Sequence, residues 1–121
     1  MPMAKGGVMS RIVELAIKQL DAYNAADLNE FVACYHPDVV VYDGMNASLT
    51  GQAAFRARYL DLFENWEFGA TVSQRIDLGG QCFDHERWWR IDPSSGSRTE
   101  GLVVVRYEIR DELIGLVQFF R

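Results

Sequence analysis

Two stretches of this chain hold side chains suited to proton chemistry. In the first, Asp43 closes the apolar run Val39-Val40-Val41-Tyr42 and is followed by Gly44. A carboxylate at the wall of an apolar cavity has its charged form disfavoured, which raises its pKa toward neutrality and suits it to general acid/base work. The same Asp-Gly pair also fits the start of a turn, where Asp bonds local backbone. In the second, CFDHERWWRI, strand alternation puts Asp84, Glu86, Trp88 and Arg90 on one face and Phe83, His85, Arg87, Trp89 and Ile91 on the other. Glu86 and Arg90 on either side of Trp88 would form an ion pair beside an aromatic wall, where the arginine with its acidic neighbour could bind a carboxylate or enolate while a second acid handles a proton. A one-residue slip would exchange the faces, and such charges also serve as cross-strand pairs on a solvated face or interface. His85 fits a surface or interface role, or a pair with Asp43 in the shifted register.

These residues must be positioned by elements legible in the pattern. Ile12, Leu15, Ala16, Leu20 and Tyr23 recur at helical spacing behind Ser10, predicting a helix over 10–24. Asp27 with Glu30 three positions on is a capping-box pattern opening a second helix over 28–35, stopped by His36-Pro37-Asp38. Val39 to Tyr42 is a β-branched run and reads as a strand, and the polar segment to Thr50 as a loop. A third, amphipathic helix over 51–65 carries Ala54, Phe55, Tyr59, Leu62 and Phe63. Four β segments follow, over 67–78, 81–91, 99–110 and 113–120, with connections short enough for antiparallel hairpins. On the last two, Val103, Val105, Tyr107 and Ile109 form an apolar wall, facing Leu116, Gln118 and Phe120 as the presumed inner face. A buried Gln118 needs a hydrogen-bond partner from protein or ligand. Helices followed by a meander of long strands give an α+β fold in which a curved sheet is covered on one face.

Composition narrows the function. The 121 residues suit one domain, here 10–121, behind a flexible arm at 1–9. A net charge of -5, with no run of Lys and Arg longer than two, weighs against nucleic acid. No run approaches the roughly 20 apolar residues of a membrane span. Cys34 and Cys82 lack CxxC spacing, and MPMAKGGVMS has no apolar core of a secretory signal, so a cytoplasmic setting is expected. His36 and His85 lie far apart and no metal is expected; neither GxGxxG, Walker nor G-x-S-x-G patterns occur, which argues against a nucleotide enzyme or an esterase.

The order of elements, with YNAADLNEFVACYHPDVVVYDG, LTGQAAFRARY and RYEIRDELIGLVQFF, resembles the nuclear transport factor 2-like superfamily, and within it the SnoaL-like and ketosteroid-isomerase-like branch. The resemblance covers the chain from about Ser10. It implies a cone-shaped α+β domain with three N-terminal helices on a strongly curved, mostly antiparallel sheet around a hydrophobic small-molecule cavity, commonly a homodimer through the sheet's outer face. It implies cofactor-independent chemistry. Asp43 matches the isomerases' general-base aspartate, and their pocket strand places Glu86, Trp88 and Arg90 inward. Their two oxyanion donors, a helix-one tyrosine and a protonated acid on a late strand, fall here on Gln19 and Val105. Val105 donates nothing, and losing such a donor typically costs ~100-fold, so steroid isomerisation is disfavoured.

Two readings follow. One is a cofactor-independent isomerase, cyclase or hydrolase with Asp43 as general acid/base, assisted by Glu86 and Arg90, its ligand lined by Gln19, Tyr23, Phe55, Tyr59, Trp88, Val105, Tyr107, Leu116, Gln118 and Phe120. The other is a noncatalytic ligand-binding or dimerisation module of the same fold.

Overall fold

The structure, a computed structural model, describes residues 9–121. The arm expected at 1–9 lies outside the described residues except for Met9. Helix α1 (Arg11–Asn24) begins where Ser10 Oγ accepts the Val13 amide at 3.3 Å, satisfying a first-turn donor that has no intrahelical partner. Its buried stripe includes Ile12, Leu15, Ala16, Gln19 and Tyr23. At its other end the Asn24 side chain accepts the Ala70 amide at 2.8 Å and donates to the Ala70 carbonyl at 2.9 Å, acting as a strand partner for the sheet's edge. Helix α2 (Leu28–Ala33) is capped by Asp27, which accepts the Glu30 amide at 3.2 Å.

The second helix stops short of the expected 28–35, because Tyr35 already opens strand β1 (Tyr35–Asp43). His36-Pro37-Asp38 is therefore part of a strand. Its ladder to the neighbouring strand is interrupted between Tyr35 and Val40, and such a break tolerates a proline without an N–H. The expected loop to Thr50 contains strand β2 (Asn46–Thr50), which returns antiparallel on β1 with Asp43 opposite Asn46. Gly44, at φ 59°, makes the reversal that a residue with a Cβ adopts reluctantly. β2 is an edge strand and almost wholly exposed, so it has no period-two apolar signal.

Helix α3 (Gln52–Asn65) then leads into β3 (Glu67–Asp77), β4 (Gln81–Ile91), β5 (Arg98–Arg110) and β6 (Leu113–Phe120), close to the expected limits. The sheet order is β2-β1-β6-β5-β4-β3, antiparallel throughout except for β1 beside β6. The class is α+β: α1 packs on β3, β4, β5 and β6, and α3 on β1, β2 and β3. Between helices and sheet lies an aromatic cluster centred on Phe31, whose ring is within 5.7 Å of those of Tyr23, Tyr35, Phe55, Tyr59 and Phe63. Offset and edge-on ring pairs of this kind add stability beyond their burial.

Candidate active site

Residues directly opposite one another on antiparallel strands share a face, so the ladders define the inner surface of the sheet row by row. Cys82, Tyr107 and Val117 form one row; Asp84, Val105 and Phe119 the next; then Glu86 with Val103, Trp88 with Gly101, and Arg90 with Thr99. Under the helices this surface leaves a cavity of about 380 Å³, within the range of small-molecule sites. Tyr23 and Trp88 line it without filling it.

Glu86 is a half-buried acid that faces the cavity. No hydrogen bond or salt bridge among the described residues reaches its carboxyl group. Loss of water around it, reinforced by the nearby Asp84 carboxylate, pushes its pKa from an ordinary 4.5 up to about 7, against the pull of Arg121 and Arg90. Asp84 itself is fully buried and held by Arg75 through two short bonds, Nε at 2.6 Å and Nη2 at 2.8 Å.

Opposite Glu86 lies a set of phenols. The Tyr35 hydroxyl donates to Gln19 Oε1 at 2.9 Å, and Gln19 Nε2 donates to the Tyr107 oxygen at 3.1 Å and to the Ala16 carbonyl at 3.0 Å. Gln19 is thus nearly satisfied by protein, while the Tyr107 hydrogen has no acceptor among the described residues. Burial raises the pKa values of Tyr35, Tyr59 and Tyr107, so these phenols stay protonated donors at neutral pH.

Trp88 and Arg90 continue the wall. The Trp88 indole lies flat across β5 because residue 101 is glycine: a Cβ there would come within 2.7 Å of the ring. The Arg90 guanidinium stacks on that indole, 5.2 Å from its centroid. The ion pair expected between Glu86 and Arg90 is absent. Four strand residues separate their Cα atoms by roughly 13 Å, a span that the sequence spacing conceals.

Asp43 takes a different place from the one expected of a wall carboxylate. It sits at the rim with its side chain 48% exposed, paired to Arg121 at 3.4 Å, so water is not removed from it. Gln19, Tyr23, Phe55, Tyr59 and Tyr107 also line the cavity, with Tyr35, Val103, Val117, Phe119, Arg58 and Arg121 added.

Four expected lining residues are elsewhere. Val105 is wholly buried between Asp84 and Phe119 in its ladder row and does not line the cavity. β6 presents Val117 and Phe119 inward, so Leu116, Gln118 and Phe120 face outward. The run LIGLVQFF is apolar at nearly every position, and alternation cannot tell its two faces apart. Gln118 finds its partners in protein: it accepts from Arg106 Nε at 3.0 Å and donates to the Gly44 carbonyl at 2.7 Å, clamping the β1–β2 turn. His85 lies on the outer side beside Ser73, at 3.2 Å. Tyr35 was hidden by its reading as helix. Arg121, one residue past the last strand, carries no pattern that would mark it.

The SnoaL-like domain family model matches residues 16–116. A search of curated proteins found no match. Among solved structures, the chain is similar to an uncharacterised cystatin-fold protein of Novosphingobium aromaticivorans, at 23% identity and TM-score 0.81, covering 94% of this chain and 100% of that one. It is similar to a Δ5-3-ketosteroid isomerase of a Mycobacterium species, at 17% identity and TM-score 0.84, covering 93% and 94%. It is also similar to a computationally designed 17-OHP binder, at 14% identity and TM-score 0.84, again covering 93% and 94%. At these identities the likeness shows the fold.

Proposed function

This chain belongs to the SnoaL-like domain family, and we propose that its cavity takes a hydrophobic carbonyl compound and moves a proton on it without a cofactor. The observation that carries this reading is Glu86: an acid facing the cavity with no partner among the described residues, its pKa pushed up to about 7. An acid with that pKa is ionised often enough to accept a proton near neutral pH and acidic enough to return it. The carboxylate removes hydrogen from the carbon beside the carbonyl, and the electron pair moves onto the carbonyl oxygen. The free hydrogen of the Tyr107 hydroxyl, with the Tyr59 hydroxyl near it, stabilises that oxygen as it gains charge. Glu86 then delivers the proton to another atom of the same molecule, as isomerisation or ring closure requires. Glu86 replaces Asp43 as the acid/base.

Exchange of the α-hydrogens of 2-tetralone in D2O tests this. The wild-type protein should accelerate exchange, Glu86→Gln should lower the acceleration by roughly 100-fold or more, and Asp43→Asn should retain most of it. Full activity in Glu86→Gln would refute the assignment, and loss in Asp43→Asn alone would return the role to Asp43. The second reading, a noncatalytic binding module, is supported by the designed binder, since this fold serves binding by itself. A protein that binds 2-tetralone without accelerating exchange would establish it.

We further propose a homodimer through the outer face of the sheet, where Leu102 is 54% and Phe120 39% exposed. A cytoplasmic location fits the two free cysteines. Light scattering with a Leu102→Glu variant tests the dimer, which that charge should dissociate.

A further inference from the structure

Four arginines stand on or beside the cavity, and three of them are engaged. Arg121 pairs with Asp43, Arg58 donates to Ser48 at 3.3 Å, and Arg75 holds Asp84. Arg90 is different. It lines the cavity, forms no salt bridge among the described residues, and buries its Nε–H without an acceptor. A buried donor left unmet is uncommon in folded proteins, and one on a charged group is more costly still. Its immediate surroundings do not neutralise it. Stacking on Trp88 occupies the guanidinium plane and leaves the Nε–H at its edge unmet, while Tyr23 reaches the guanidinium with a hydrogen bond. The neighbouring phenol of Tyr23 is held neutral by burial, so it offers a lone pair and no charge. Glu86 stands four residues along the strand, roughly 13 Å away at the backbone.

We propose that the cavity's ligand is an elongated apolar molecule bearing a carboxylate, which Arg90 binds through its planar edge above Trp88, while the rest of the molecule extends toward Glu86 and Tyr107. This rests on the cavity reading above and adds the chemical class and orientation of its occupant. The guanidinium edge matches a carboxylate in geometry and charge, two parallel N–H bonds to two oxygens. The separation along β4 sets the ligand's length, with the anion at one end of the strand and the reacting group at the other. That placement also keeps the ligand's negative charge away from Glu86, where a second anion would hinder ionisation of the acid.

Two fluorescent probes that differ only in their head group test this: 1-pyrenebutyrate and 1-pyrenebutanol, titrated against the full chain at pH 8. The carboxylate should bind roughly tenfold or more tightly than the alcohol. Arg90→Met should weaken the carboxylate to the level of the alcohol and leave the alcohol unchanged, which also shows that the variant is folded. Arg90→Lys should recover part of the preference. In the wild-type protein, the Arg90 Nε–H resonance should shift with the carboxylate and stay in place with the alcohol. Equal affinities for the two probes, or equal losses in Arg90→Met, would overturn the proposal while leaving a small-molecule cavity in place. Binding of neither probe would overturn both. A retained carboxylate preference without any α-hydrogen exchange would uphold this inference and remove the catalytic reading.

Discussion

Replacing Glu86 by Gln should make the protein more stable at pH 8 than the wild type, and much less so at pH 5. In the folded state the Glu86 proton is held up to about 7, whereas an unfolded chain releases it near 4.5. Between those values the folded protein carries a proton that the unfolded chain has lost. Stability therefore falls as pH rises from about 4.5 to about 7 and is level above that. The full difference corresponds to about 3 kcal/mol, of which most is still unspent at pH 5. Glutamine keeps the shape, so no cavity opens, and it has no charge to desolvate. The charged groups around Glu86, namely Asp84, Arg121 and Arg90, act on its carboxylate and are already contained in the value of about 7. Urea unfolding of both proteins at pH 5 and pH 8 reads the effect. The variant's advantage should grow by about 2 kcal/mol between the two pH values, with an unchanged dependence on urea. An advantage that is the same at both pH values would mean that Glu86 titrates alike in folded and unfolded chains, and the argument for it as the acid/base would fail.

Gly101→Ala should drive the Trp88 ring off β5, since the added carbon would sit 2.7 Å from it; about 1–3 kcal/mol of stability should be lost in thermal unfolding, together with pyrenebutyrate binding. Asp84→Asn leaves Arg75 without its buried partner and should destabilise the fold by about 3 kcal/mol or more. The same change removes a negative neighbour of Glu86, and carboxyl NMR titration should show its pKa falling below about 7. Asn24→Ala deprives the Ala70 amide and carbonyl of their side-chain partner and should cost about 1–3 kcal/mol in urea unfolding, with faster hydrogen exchange at Ala70. Tyr107→Phe should slow 2-tetralone exchange by roughly 100-fold while leaving pyrenebutyrate affinity near the wild-type value.

Much of the architecture was legible because it is written locally. Ser10 and Asp27 announce helix starts through their own side chains, and the apolar stripe of α1 repeats within a few residues. On β4 a period of two sorts Asp84, Glu86, Trp88 and Arg90 onto one face, and the resemblance to the isomerases' pocket strand named that face the inner one. Where local signal failed, the cause was also physical. β2 is an exposed edge with nothing apolar to alternate, and β6 is apolar on both sides, so only its pairing with Val105 and Tyr107 selects Val117 and Phe119 as the inner face. Residue type and order determined the family, the elements and the strand that carries the charges. Tertiary structure decided which carboxylate loses its water. Asp43 and Glu86 are similar acids in sequence, but one ends beside Arg121 in water and the other beneath three helices, with no partner among the described residues. A carboxyl group's proton affinity depends on solvent and charges brought near it by distant parts of the chain.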